Sequence, residues 1–326
     1  MMKVKATLQS GFTLLEMVLV LFLLALMASA SLMLTENIED QAKYDDTKHR
    51  MEMMRKAIIG DPSRTINGSP EISGFVADMG RLPDCVRELI EQKNCVDIAL
   101  DSWSHDASTG LGTGWRGPYI QVLPERSGEL RFRDGYGNSD ASDAIDAQNS
   151  GWSYDVSTAS ASIGLISKGF DPITDTDLIK ADKLVVSSDW QVQLPENITV
   201  TFKNQSAGNL PLADENLVLR VYLSDLTSAI DGDDGINSYL SFDASSAISA
   251  IPKTRNFTLN STPSIPIGTR AYSIVCYDAL IIDPDDYVVF DGDCDVANPA
   301  QSTSNIRTFS VVPRQSLNLN LDWIIP

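Results

Sequence analysis

The sequence predicts an α+β protein in three parts. A long N-terminal helix crosses a membrane with its first half, a mixed α/β head follows, and an antiparallel, β-sandwich-like domain closes the chain. Three observations carry this. Residues 11–34 read GFTLLEMVLVLFLLALMASASLML, polar only at Thr13, Glu16 and two serines. From Phe12 to Ile59 neither Pro nor Gly interrupts the chain. Beyond residue 190, short β-branched and aromatic runs alternate with Pro, Gly, Asn and Asp turns.

Phe12 to Leu34 is 23 residues, roughly 34 Å at 1.5 Å per residue, against a hydrocarbon core of about 30 Å. The expectation is a single span over 12–34. Glu16 stands inside it, and a carboxylate at the centre of a span costs about 2.5–3.5 kcal/mol. Such a charge either stays in the interfacial layer or finds a partner. Lys3 and Lys5 before the span and Glu36, Glu39 and Asp40 after it set the orientation, lysines inside. An ordinary secretory signal fits less well. Its cleavage would follow the apolar run, near Ala28–Ala30, and the uncharged stretch from Met17 to Leu34 is longer than a usual h-region.

A short leader with two lysines, then Gly11, then Phe12, then a Glu four residues on resembles the signal of the type IV prepilins, shared by pilins and by the pseudopilins of type II secretion. The motif is GFTLLE at residues 11–16. The resemblance implies that prepilin peptidase removes residues 1–11, cutting between Gly11 and Phe12, and methylates the new N-terminus at Phe12. It implies that Glu16 serves assembly by pairing with the Phe12 ammonium of a neighbouring subunit. Other pilin or pseudopilin subunits are then the partners. The location is the bacterial inner membrane, single-pass with the head in the periplasm, until assembly draws the chain into a filament. Many major pilins carry a proline where this sequence has Met33, a departure that points to a minor subunit.

Residues 35–60 continue the helix as an amphipathic segment. Thr47, Met51, Met54 and Ile58 recur at the spacing of one helical stripe, a packing face rather than a ligand set. Gly60 and Pro62 supply the stop. Residues 61–190 form the head. There Asp78, Gly80, Arg81 and Pro83 resemble the turn that follows the long helix of the major pseudopilin, and GWRGPYIQVLP (114–124), RDGYGNSD (133–140) and ISKGFD (166–171) resemble further family segments. The match departs at Asp134-Gly135-Tyr136, where the family has Asp-Pro-Trp. At the place where the family binds calcium, Asp171, Asp175 and Asp177 offer hard oxygen ligands on a loop; a solvated acidic turn is the competing reading. A second acidic stretch, AIDGDDGIN (229–237), lacks the EF-hand order and its downstream Glu.

Residues 191–326 contain eight strand-like runs, among them ITVTFK (198–203), LVLRVYL (217–223), RAYSIVCYD (270–278) and SLNLNLDWI (316–324), which suggest a sandwich. Four cysteines fall in two close pairs, Cys85 with Cys95 and Cys276 with Cys294. Disulfides are the default in an exported head, and of three connectivities the two local pairings are preferred. Zinc is disfavoured, since there is no CxxC and His49 and His105 lie far from the cysteines.

With 44 acidic against 25 basic residues the net charge is -19, which excludes a nucleic-acid partner for want of a basic footprint. The GLGTG stretch at 110–114 is followed by WRGPY rather than a helix, so the dinucleotide reading fails. Neither histidine stands in a catalytic context. The sequence thus reads as a non-enzymatic subunit of a type II secretion pseudopilus or type IV pilus. Its size, too large for every position of a regular lattice, argues for a minor or tip position. The alternative is a membrane-anchored binding or adhesion protein that displays the β-domain without polymerising.

Overall fold

The structure is a computed structural model. It describes residues 13–61, 63–66, 69–105, 111–170, 178–205, 210, 215–223, 229–233, 252–259, 263–277, 288–294, 306–312, 317 and 319–325.

Helix α1 spans Leu14–Ile59, 46 residues or about 69 Å. Thr13 is the extended N-cap, and its hydroxyl accepts from the Glu16 backbone N–H at 3.3 Å. Glu16 sits in the first turn, where a carboxylate complements the helix dipole. Gly60 closes the helix at φ 78°, its N–H donating to the Lys56 carbonyl at 2.8 Å.

Two expectations are corrected at this point. No helix among the described residues is long and apolar enough to cross a membrane. That overturns the span over 12–34 and the single-pass inner-membrane placement derived from it. Glu16 in the first turn and Ser29, whose hydroxyl donates to the Leu26 carbonyl at 2.9 Å, interrupt the apolar run of α1.

After α1 come two short paired strands, β1 (Thr65–Ile66) and β2 (Ser69–Pro70), then α2 (Phe75–Met79) and α3 (Arg87–Ile90). A two-residue pairing of β3 (Ser104–His105) with β4 (Gly112–Thr113) precedes α4 (Asp143–Asn149). An antiparallel three-stranded sheet follows, from β5 (Ser153–Ser157), β6 (Ser162–Ser167) and β7 (Ile179–Val185). The α1 stripe Thr47, Met51, Met54 and Ile58 is buried, and the helix rests on β7 and α2. Next comes α5 (Ser187–Trp190), then β8 (Gln191–Gln193), which pairs with β13 (Ser264–Pro266).

The C-terminal part departs from the predicted sandwich. A single curled sheet of seven strands stands there: β9 (Asn197–Asn204), β10 (Leu217–Tyr222), β11 (Ala229–Asp233), β12 (Lys253–Leu259), β14 (Gly268–Cys276), β15 (Arg307–Val311) and β16 (Asn320–Ile325), in the order β15-β14-β10-β11-β12-β9-β16. The described residues are mostly β, 36% strand against 26% helix, which corrects the α+β assignment. The sheet is not purely antiparallel either, because β16 runs parallel to β9. That register sets Leu321 opposite Val200 and Trp323 opposite Phe202, so the buried residues of the last strand share one face with those of β9.

The curl is visible in the aromatic contacts. Tyr272 on β14, next to one edge, lies 6.3 Å from Trp323 on β16, the opposite edge, measured between ring centroids. Its hydroxyl donates to the Asp322 carbonyl at 2.9 Å. The sheet therefore covers its own concave face, and a second packed sheet is not required. β14 is buried along its whole length except at Thr269, which fits a strand covered on both faces. One continuous apolar core joins Met51 of α1, the head and Ile325 of the last strand.

Candidate assembly surface and the residues that brace it

Every side chain described from Thr13 to Ser29 is exposed. Twelve of them are large and apolar, from Leu14 at 84% exposed to Val20 at 43%. They lie all round the helix rather than on one stripe, so a single flat contact could not cover them. Glu16 is the carboxylate of this surface, at its N-terminal end.

The far half of the helix is braced by polar contacts with the head. Thr47 donates from Oγ1 to the Lys43 carbonyl at 2.8 Å and accepts from the Gly135 N–H at 3.0 Å. Gly135 belongs to a turn organised by Asp134, which is 5% exposed. The Asp134 carboxylate accepts from the N–H groups of Tyr136 and Asn138 at 3.1 and 3.0 Å. It also accepts from Asn138 Nδ2 at 2.8 Å and Ser167 Oγ at 2.5 Å. Four donors satisfy a buried charge that would otherwise be costly. Asn138 Nδ2 donates onward to the Gly169 carbonyl at 2.9 Å, so the turn locks β6 and its exit to α1. Farther along the helix, Arg50 donates to the Arg133 carbonyl at 3.1 Å, and Arg55 pairs at 3.1 Å with the buried Asp189 of α5.

The turn after α2 is fixed in a comparable way. Gly80 ends α2 in the left-handed region. Arg81 grips the fully buried Glu88 at 2.8 and 3.2 Å and lies 5.3 Å from the Phe75 ring centroid. Asp78 accepts from the Tyr119 hydroxyl at 3.0 Å. Burial pushes the Asp78 carboxyl above its ordinary value, with Tyr119 and Arg116 opposing.

The sequence-derived site residues fall as follows. Gly11 and Phe12 lie outside the described residues, as do Asp171, Asp175 and Asp177 of the expected calcium loop. Glu16 is exposed in the first turn of α1, where its backbone N–H donates to the N-cap Thr13 hydroxyl. Of the second acidic stretch, Asp231 is a strand residue held by Arg220 at 3.0 Å rather than a free loop ligand. The cysteines form two local disulfides, Cys85–Cys95 with Cα atoms 5.8 Å apart and Cys276–Cys294 with 5.6 Å. Thr47 and Asp134 were missed as bracing residues; a threonine on a methionine stripe and an Asp-Gly-x-Gly-Asn turn are the only local hints.

No family model, no curated protein and no solved structure matches this chain.

Proposed function

We propose that the chain is a non-enzymatic structural subunit, at a minor or tip position, of a type II secretion pseudopilus or type IV pilus. In this reading prepilin peptidase processes it ahead of Phe12, and it assembles with other pilin-like subunits through α1. The observation that carries the reading is the exposed apolar surface from Leu14 to Met27 in the N-terminal half of a helix braced to a large head. Twelve large apolar side chains at roughly 1 kcal/mol or more for each half-exposed group amount to on the order of 10 kcal/mol, comparable with the stability of a whole domain. A surface of that size favours association. Helices of the same kind, packed on all sides of this one, match its all-round apolarity, and Glu16 supplies one charge to set their register.

The test is in-cell crosslinking of an affinity-tagged chain, with mass spectrometry of the captured partners and of the chain's own N-terminus. The expected result is an N-methylated Phe12 and pilin-like partners, both partners and assembly lost on Glu16→Ala. An intact leader with no pilin-like partner would refute the reading. Capture of secretion-system rather than pilus subunits assigns the machine.

A further inference from the structure

No further inference is drawn: the strongest candidate, the apolar groove in the head where Ile90 at the end of α3 meets Pro118, Ile120, Val122, Leu123 and Leu130, is an unpartnered surface, and nothing among the described residues shows what covers it.

Discussion

If α1 is held to the head through the Thr47–Gly135 contact, Gly135→Ala is the smallest change that pries them apart. A Cβ at Gly135 would stand 2.9 Å from Thr47 Oγ1 and 3.0 Å from the Thr47 backbone nitrogen, and closer still to the Lys43 carbonyl oxygen. Two of these are atoms of the helix backbone, which cannot rotate away. Relief requires the turn to retreat by several tenths of an ångström, against the four hydrogen bonds that hold Asp134. Overpacking of this kind costs about 1–3 kcal/mol. Stretching the Gly135-to-Thr47 hydrogen bond adds about 1 kcal/mol, for a total of about 2–4 kcal/mol. Urea unfolding followed by tryptophan fluorescence measures it, with Trp152 buried in the head as reporter. Amide exchange around Lys43 to Met51 is expected to accelerate. Gly137→Ala is the control. Gly137 has φ 74° but nothing within 4 Å of a built Cβ, so it carries only the left-handed backbone penalty of roughly 1–2 kcal/mol and leaves exchange in the helix unchanged. A Gly135→Ala variant within about 0.5 kcal/mol of the parent, inside the range of inert surface changes, would refute the bracing argument.

Two further outcomes can be measured. Replacing Cys276 and Cys294 by serine opens a loop of sequence separation 18, so a chain-entropy argument predicts a loss of about 3 kcal/mol, read as a lower urea midpoint; an unchanged midpoint would show that Cys276 and Cys294 stabilise only locally. Asp78, whose folded carboxyl is raised above its usual 3.8, binds its proton more tightly folded than unfolded, so its cost is absent below pH 3.8 and grows as pH rises through the folded value; the stability of Asp78→Asn relative to the parent is therefore expected to increase with pH across that window, and a flat difference would contradict it.

Much of the local structure was readable because local chemistry sets it. The stripe Thr47, Met51, Met54, Ile58 and the stop at Gly60 describe α1 down to its last residue. The β-branched runs at 198–203, 217–223 and 270–278 lie on β9, β10 and β14. What could not be read was the arrangement of those strands. β16 lies against β9 across more than a hundred residues of chain, and the curl that brings Tyr272 to Trp323 arises from summed strand twist, which leaves no mark on any single run. An alternating pattern reports that one face of a strand is covered. It does not say whether a second sheet or the same sheet covers it. The expected span over 12–34 is corrected as well, since no helix among the described residues is long and apolar enough to cross a membrane, and a count of residues does not weigh the carboxylate of Glu16 within them.

Acidity was the most ambiguous signal in the sequence, and pairing register decides its meaning. AIDGD, at residues 229–233, reads as a loop because aspartate disfavours strands. It is nonetheless strand β11, because Asp231 lies directly opposite Arg220 of β10 and bonds it at 3.0 Å. The same logic recurs at Asp189 with Arg55 and at Asp146 with Arg133. In a chain with 44 acidic against 25 basic residues, the buried Arg270 donates to the backbone carbonyls of Ile267 and Thr269, whereas Arg55, Arg133 and Arg220 are each matched to a particular carboxylate. The acids they hold cannot serve as cation ligands or as part of the solvated surface without leaving a buried arginine uncompensated, a loss of several kcal/mol. Asp231 is therefore a fold determinant, and what makes it one is an arginine eleven residues earlier on a strand whose partner the sequence does not name.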